Sequence, residues 1–293
     1  MLDLDMSREP APPRDAATLV LLKDSDQGLL VFCVERHKKS HFLGGALVFP
    51  GGKLDPKDHD EAFAGLTVHL PALRDAFARD EAHLRALAVA ALRETLEEAA
   101  ILPVTGGTLT HDALLALRAE LAEGSETLAG ALTSAGLSLD LARLRPFARW
   151  ITPVAEGRRY DTRFFLALAP AEQPGAHDQS ETTASFWASP GTILERFLRG
   201  EVQLAPPTHR TLQLLAELPR AEDALTFADA SSLLPICPRV VPQPGPGGDT
   251  IALVLPGDPE HPDQDVRVPG LSRYVLREGK FVPEPAPPGI KGE

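Results

Sequence analysis

The alternation of apolar and polar positions predicts two β-rich parts that flank a long helix. Residues Ala16 to Lys23 and Gly28 to Arg36 are apolar, β-rich runs, and Asp24 to Gln27 between them is typical of a hairpin turn. Further strand-like runs follow later in the chain: Phe147 to Thr152, Thr162 to Ala169 and Ser185 to Ala188. Because Thr162 to Ala169 is almost wholly apolar, it predicts a central strand buried on both faces.

Helical spacing dominates the middle of the chain. From Leu84 to Ala99 apolar residues recur on one face, with Asp80 as the expected N-cap and Pro103 soon after the end. Shorter helices are predicted at Asp112 to Ala122, Glu126 to Leu132, Pro190 to Leu198 and Pro206 to Leu218. Strands and helices mixed in this way predict an α/β fold with a mixed sheet.

The pattern also divides the chain. Residues 1–15 are polar and proline-bearing and predict a flexible tail, whereas 16–220 predict one domain. Within that domain 59–85 have broken helical periodicity, which predicts one or two short helices on the rim of a site. Residues 221–293 form a Pro/Gly-rich extension that packs on the same domain or is used between subunits. Its strand candidates are Thr250 to Leu255 and Ser272 to Leu276.

Three carboxylates stand on the long predicted helix. Glu94, Glu97 and Glu98 are spaced i, i+3 and i+4, so a helix makes them neighbours. Such like charges repel each other unless a cation neutralises them, and Mg²⁺ and Mn²⁺ prefer carboxylate oxygens. The cluster alone indicates either a metal site or a solvated acidic face.

A glycine pair precedes this helix. The apolar segment ending at Phe49 runs into Pro50-Gly51-Gly52, which indicates a turn that glycine permits easily. Without side chains, Gly51 and Gly52 also allow the backbone to approach a ligand or a helix closely.

Together these segments resemble the signature of the Nudix hydrolases, in which a glycine and a glutamate precede an Arg-Glu-apolar-X-Glu-Glu-X-Gly-apolar helix. Gly52 matches its start, and its second half is matched by Arg93, Glu94, Glu97, Glu98 and Ile101. Three positions depart from the pattern: Asp58 replaces the first glutamate, Thr95 an apolar residue and Ala100 the late glycine. In addition, 34 residues separate Asp58 from Arg93, where the usual pattern has seven.

An insertion inside the signature is similar to the coenzyme A diphosphatase-like branch of peroxisomal type. The flanking sequence is also similar, at Arg36 to His41, Trp150 to Pro153 and Arg159 to Phe165. The resemblance implies a Nudix-type α/β/α sandwich with a mixed sheet, a helical insertion and a β-rich C-terminal extension. It further implies hydrolysis of a nucleoside diphosphate linked to another group, here coenzyme A or an acyl-coenzyme A. The alternatives are an ADP-ribose or NADH pyrophosphatase, and a nucleotide-binding module without turnover.

Roles for individual residues follow from the resemblance. The metal ligands would be Glu94, Glu97 and Glu98, holding Mg²⁺ or Mn²⁺, and Arg93 would anchor the helix through Asp55 or Asp58. Glu97 and the loop residue Glu181 are the candidates for the general base. The candidate substrate-binding residues are Arg36, Gly51, Gly52 and Arg163. For Arg163 a phosphate contact and an ion pair with Asp161 are equally open.

Composition limits the partners. A formal charge of −12 argues against a general nucleic-acid binder, but it allows an anionic small molecule at a metal site. Cys33 lies in an apolar run, no signal sequence precedes the first strand, and no apolar run is long enough for a membrane span. We therefore expect a cytoplasmic enzyme with a nucleotide-containing, coenzyme A-like substrate and neither a nucleic-acid nor a membrane partner. A homodimer is an open expectation.

Overall fold

The computed structural model describes residues 10–37, 45–74, 76–178, 182–244, 248 and 250–287. Its first eight strands are β1 (Arg14–Ser25), β2 (Gly28–Arg36), β3 (Ala46–Val48), β4 (Gly51–Lys53), β5 (Thr67–Val68), β6 (Val104–Thr105), β7 (Ser138–Asp140) and β8 (Arg145–Ile151). The other eight are β9 (Tyr160–Leu168), β10 (Thr182–Ala188), β11 (Gln203–Leu204), β12 (Pro235–Ile236), β13 (Arg239–Gln243), β14 (Thr250–Val254), β15 (Arg273–Arg277) and β16 (Lys280–Glu284).

Seven helices connect these strands within the described residues. They are α1 (Phe63–Leu66), α2 (Glu81–Ala99), α3 (His111–Glu123), α4 (Leu128–Ala135), α5 (Pro190–Leu198), α6 (Pro206–Ala216) and α7 (Ala221–Ala230). Two 3₁₀ turns lie at Pro56–His59 and Leu141–Arg143. Asp80 caps α2 by accepting from the backbone N–H of His83, as the sequence predicted. The predicted α5 agrees with the structure at both ends, and the first strand begins at Arg14, two residues before the predicted start.

The main sheet is mixed. Among the described residues it runs β11-β3-β2-β1-β9-β8-β12, with β10 paired to β2 and β4 paired to β1. Strand β9 lies parallel to β1 and antiparallel to β8, so it occupies the centre, as its apolar sequence predicted. The hairpin of β1 and β2 pairs Ser25 with Gly28.

Helices cover both faces of this sheet. Side chains of β1 alternate between the two faces, because successive residues of a strand point in opposite directions. On one face, Leu19 and Leu21 pack in a core with Leu84, Leu87 and Leu92 of α2. On the other face, Val20 and Leu22 share a core with residues of α5, α6 and α7, namely Ile193, Phe197, Leu212, Leu215 and Ala224. The predicted α/β/α sandwich is therefore confirmed.

The inserted segment packs into the core of the sandwich. It contains the single-turn helix α1, and its β5 joins β6 and β7 in a small sheet of order β5-β7-β6. Phe63 and Phe77 are buried in the same core as α2, and the ring of Phe77 meets Phe165 edge-on at 5.3 Å. One short helix thus agrees with the prediction, and apolar burial explains why the rest of the segment stays close to the sheet.

The C-terminal extension is β-rich, as predicted. Strands β13 to β16 form an antiparallel sheet, while β12 adds to the edge of the main sheet beside β8. Leu253, Leu255 and Tyr274 belong to the same core as α6, so the extension packs on the sandwich. Of the two alternatives, packing on the same domain is what the structure shows. None of the described helices is long and apolar enough to cross a membrane.

Candidate functional site

The long helix α2 presents the three glutamates at its C-terminal end. Its apolar stripe is buried against the sheet, whereas Glu94 and Glu97 lie at its partly exposed edge. Glu98, in contrast, is buried, with 5% of its surface exposed. Its carboxylate faces the sheet and accepts from the backbone N–H of Gly51 at 3.1 Å. The helix therefore holds one glutamate inside the fold and two at its margin.

A clamp between Arg93 and Asp58 fixes the start of the signature to the helix. Arg93 Nε lies 2.8 Å from Asp58 Oδ1, and its Nη2 lies 3.0 Å from Oδ2. Asp58 also accepts from the backbone N–H of Asp55 at 2.7 Å, which closes a capping box over the 3₁₀ turn. Of the two expected partners of Arg93, Asp55 and Asp58, its guanidinium binds the side chain of Asp58. Aspartate in place of glutamate is long enough for this contact.

The same guanidinium holds Glu94 and Glu97. Nη1 of Arg93 lies 2.9 Å from Glu94 Oε1 and 3.0 Å from Glu97 Oε2. Burial raises the pKa of the Glu94 carboxyl to about 7; Arg93 opposes this shift and the neighbouring Glu97 adds to it. One arginine thus serves three carboxylates, and a further positive charge would favour the ionised form of Glu94.

The glycine pair lies in a strand, which corrects the prediction of a glycine-dependent turn. Gly51 and Gly52 belong to β4 and pair with Thr18 and Ala17 of β1. The glycines agree with the other prediction, that the lack of side chains allows the backbone to approach a helix closely. A Cβ on Gly52 would stand 2.4 Å from Glu94 Oε1, and one on Gly51 would stand 2.5 Å from the carbonyl oxygen of Ala17. At Gly51 the obstacle is backbone of β1, which leaves no room for a side chain, whereas at Gly52 the carboxylate of Glu94 would have to move aside. The glycines thus allow the sheet to contact the glutamate helix in its present geometry.

The departures from the signature have local explanations. Thr95 is fully buried, and its hydroxyl donates to the carbonyl of Ala91 at 2.7 Å, which satisfies the polar group inside the core. Ala100 caps the helix in the left-handed conformation, with φ of 51°. Glycine adopts that conformation with less strain, so the position explains the glycine of the usual pattern.

Arg163, one of the predicted substrate-binding residues, takes part in a buried network of ion pairs and hydrogen bonds. It is 2% exposed, and its Nε donates to the carbonyl of Phe77 at 2.8 Å. Its Nη1 lies 2.6 Å from Asp15 Oδ1 and 3.1 Å from Asp161 Oδ2. The ion pair with Asp161 is therefore the alternative that the structure shows. The buried guanidinium ties β9 to the inserted segment through its contact with Phe77.

Arg36, in contrast, lines a cavity of about 450 Å³ that also reaches Gly51 and Thr18. Its Nε is buried and has no hydrogen-bond partner among the described residues. A buried donor without an acceptor costs free energy, so this position suits an anionic or polar ligand group. Glu181, the second candidate for the general base, lies outside the described residues.

The donor set fits a hard divalent cation in type and charge. Glu94, Glu97 and Glu98 supply carboxylate oxygens from neighbouring positions of one helix, which is the donor type that Mg²⁺ and Mn²⁺ prefer. Among the described residues no three His, Cys, Asp or Glu side chains already stand in the arrangement of a metal site. Arg93 holds Glu94 and Glu97 at present, so metal binding would require these carboxylates to turn from the guanidinium.

Fold and site together define the class. An α/β/α sandwich in which a glycine strand meets a helix bearing Arg-Glu-X-X-Glu-Glu is that of a Nudix hydrolase, and enzymes of this class generally use a divalent metal. The model of the NUDT19 Nudix domain family matches residues 11–215. The chain therefore belongs to this family.

Relatives and solved structures agree with this assignment. The chain is 29% identical over 292 residues to the acyl-coenzyme A diphosphatase NUDT19 of Gallus gallus, covering 85% of this chain and 77% of that protein. With the protein of the same name from Homo sapiens it shares 26% identity over 299 residues, covering 87% and 80%. A crystal structure of a Nudix hydrolase from Alicyclobacillus acidocaldarius is 33% identical, with a TM-score of 0.64, covering 74% of this chain and 96% of that one.

Two features of the site were not predicted from the sequence. The contact of Glu98 with Gly51 links the helix to the glycine strand, and the cavity beside Gly51 is completed by residues of the C-terminal extension. Leu253, Leu276 and Phe281 line it from strands β14 to β16. The apolar spacing of these strands predicts burial, but it does not reveal which surface they cover.

Proposed function

We propose that this protein is a divalent-metal-dependent pyrophosphohydrolase of coenzyme A or acyl-coenzyme A, releasing 3′,5′-ADP and a 4′-phosphopantetheine. The observation that carries this proposal is the junction at Gly51. This residue contacts Glu98 of the glutamate helix and also lines the cavity. A pyrophosphate bound at the junction would lie within reach of the carboxylates and of Arg36.

The metal would be Mg²⁺ or Mn²⁺, held by Glu94, Glu97 and Glu98. When bound, it would neutralise charge on the pyrophosphate and activate water for attack on phosphorus. The chain's own part is to hold these carboxylates in place. Arg93 does so through its bidentate contact with Asp58, and it does not need to touch the substrate.

The remaining roles rest on position. Glu97 is the most exposed of the three helix carboxylates, with 37% of its side chain accessible, so a proton from water could reach it as a general base. Glu181 is the other candidate. Arg36 would bind a phosphate oxygen, because its buried Nε lacks an acceptor among the described residues and a guanidinium suits phosphate geometry. Gly51 and Gly52 would allow the substrate close to the backbone.

The substrate assignment is supported by the relatives named acyl-coenzyme A diphosphatase, which are similar over most of the chain. The residues of the site indicate the type of reaction. They say less about which group is attached to the diphosphate. A cytoplasmic location, a homodimer and a domain boundary near residue 220 stay predictions.

Product analysis tests the proposal. Purified protein is incubated with Mg²⁺ or Mn²⁺ and separately with coenzyme A, acetyl-coenzyme A, dephospho-coenzyme A, ADP-ribose or NADH, and phosphorus-containing products are identified. We expect metal-dependent release of 3′,5′-ADP from coenzyme A, faster than cleavage of the other nucleotides. Faster cleavage of ADP-ribose or NADH would keep the chemistry and overturn the substrate. Absence of cleavage throughout the panel would favour a binding module without turnover.

A further inference from the structure

The cavity that Gly51 lines is built by two distant parts of the chain. One wall comes from the main sheet and includes Thr18, Gly51 and Phe164, whereas the opposite wall comes from the C-terminal sheet. That wall includes Leu276 and Phe281, which lie outside residues 11–215 matched by the family domain. At about 450 Å³ the cavity has the size of a small-molecule site.

The cavity adjoins the site of chemistry. Gly51 donates its backbone N–H to Glu98 on one side and lines the cavity on the other. Gly51 has no room for a side chain, because a Cβ there would stand 2.5 Å from the carbonyl oxygen of Ala17 in β1. Gly51 is therefore the residue that the glutamate site and the cavity share.

Charge is unevenly distributed along the cavity. Its only charged lining residues within the described chain are Arg36 and Lys280. Arg36 lies at the end of β2 and lines the cavity together with Gly51, whereas the Nζ of Lys280 lies close to Gly200 at the C-terminal end of α5. That helix end carries partial negative charge, which meets the lysine. The rest of the far wall is apolar, formed by Ile251, Leu253, Leu276 and Phe281.

This distribution separates the two halves of the proposed substrate. The 3′,5′-ADP half carries phosphate charges that need several donors, which the far wall lacks. The other half is a thiol-ended arm that becomes apolar when acylated. At about 450 Å³ the cavity could enclose about fifteen methylene-sized groups, if each takes about the 30 Å³ share of a water molecule.

We propose that the C-terminal sheet forms the acyl-binding wall of this enzyme. The pantetheine arm passes Gly51, and the acyl chain lies against Leu253, Leu276 and Phe281. This inference rests on the proposed function and deepens it, because it assigns chain-length preference to the extension. The extension thereby acts in substrate selection, while the glutamate helix acts on the diphosphate of every substrate alike.

Filling the cavity tests this assignment. Leu276→Trp adds bulk to the proposed acyl wall, and Leu198→Trp is the matched control, because Leu198 is 80% exposed on α5 and does not line the cavity. Binding of coenzyme A, acetyl-coenzyme A and dodecanoyl-coenzyme A is measured by calorimetry with EDTA present, so that no hydrolysis occurs. kcat/KM is then measured with metal.

We expect the wild-type protein to bind dodecanoyl-coenzyme A at least tenfold more tightly than coenzyme A. Leu276→Trp should remove this difference and lower kcat/KM for the dodecanoyl substrate at least tenfold, with coenzyme A unchanged within about twofold. Leu198→Trp should leave all values unchanged. If Leu276→Trp does not fold, Phe281→Ala removes apolar surface without adding bulk and should weaken dodecanoyl binding alone.

Equal weakening of all three ligands by either variant would overturn the proposal, because it would place the shared nucleotide in the cavity. Wild-type binding that ignores acyl length would overturn it as well. Failure of the proposed function would look different: no coenzyme A substrate would be hydrolysed with either metal, while the binding experiment without metal would still report on the cavity.

Discussion

Two arginines, one in the glutamate site and one in the C-terminal extension, make the same kind of contact in different surroundings. Arg93 holds Asp58 through two hydrogen bonds of 2.8 and 3.0 Å, and Arg273 holds Asp258 through two of 3.0 and 2.6 Å. Bidentate geometry of this type fixes both partners strongly. In the extension it ties β15 to the loop after β14.

The difference lies in access and in the remaining partners. The side chain of Arg93 is 14% exposed and also serves Glu94 and Glu97, so three carboxylates share one guanidinium. Arg273 is fully buried; besides Asp258 it contacts the neutral Gln243 and one further carboxylate, that of Glu260. The buried Arg273 network, in which the charges nearly cancel, stabilises the fold. The partly exposed Arg93 network has excess negative charge and can also bind a cation.

The largest effect should come from Arg273→Ala. Removing one partner of a buried pair leaves Asp258 uncompensated, which costs about 3–5 kcal/mol of unfolding free energy. Urea denaturation followed by fluorescence measures this loss. Arg277→Ala is the control on the same strand, because Arg277 pairs with Glu284 at the surface and should barely change the midpoint. Similar midpoints for both variants would contradict the structural role of the Arg273 network.

Low pH should weaken the packing between α6 and the C-terminal sheet. His209 of α6 lies between the rings of Phe197 and Tyr274, and burial lowers its pKa to about 4, with Arg210 adding to the shift. Because the folded-state pKa is below the ordinary 6.5, the folded protein favours neutral His209. Neutral His209 therefore contributes to the unfolding free energy above pH 6.5. This contribution, up to about 3 kcal/mol, is lost as the pH falls towards 4.

Urea denaturation at a series of pH values measures this loss. His209→Gln cannot take up the proton, so its unfolding free energy should fall less between pH 6.5 and 4 than that of the wild type. Parallel curves for the two proteins would show that other groups cause the acid sensitivity.

In the glutamate site a substitution should change turnover more than stability. Glu98→Gln removes a charge from the proposed metal site but retains an amide oxygen that can accept from Gly51, so the contact with β4 can persist. We expect kcat to fall at least tenfold, equivalent to about 1.4 kcal/mol, with little change in the thermal midpoint.

Glu81→Gln, at the exposed start of the same helix, is the matched control and should keep wild-type turnover. Wild-type rates of Glu98→Gln with added Mg²⁺ would contradict the metal assignment. Loss of folding in this variant would instead assign Glu98 a mainly structural role.

The smallest effects concern strained backbone in each region. Ala100 after α2 and Glu278 in the β15–β16 turn both have positive φ, 51° and 49°. Glu278→Gly should stabilise the protein by up to about 1 kcal/mol, because it removes strain at an exposed position. Ala100→Gly should gain less, since it also removes a buried methyl group worth about 0.8 kcal/mol. Thermal denaturation compares the two, and a larger gain at Ala100 would contradict this reasoning.

Local patterns explain why much of the sandwich could be predicted. Apolar spacing locates α2 and the central β9, and the signature residues group Arg93 with the three glutamates. Sequence spacing could not separate the alternatives for Arg163, because its partners Asp15 and Asp161 meet only after β1 pairs with β9. Likewise, the cavity depends on how the extension packs on the main sheet, and this contact between distant residues leaves no periodic signal.

The cavity also has a consequence for the order in which parts of the protein form during synthesis. Thr18 and Phe281 both line it, so the space closes only after Phe281 has left the ribosome. The sandwich up to α6 has its glutamate helix by residue 99 and can begin to fold earlier, because chains fold from the N-terminus during synthesis. At about 5–20 residues per second, the stretch from α6 to Phe281 takes several seconds more. A nascent chain would thus have its glutamate helix before the cavity proposed to select among substrates has formed.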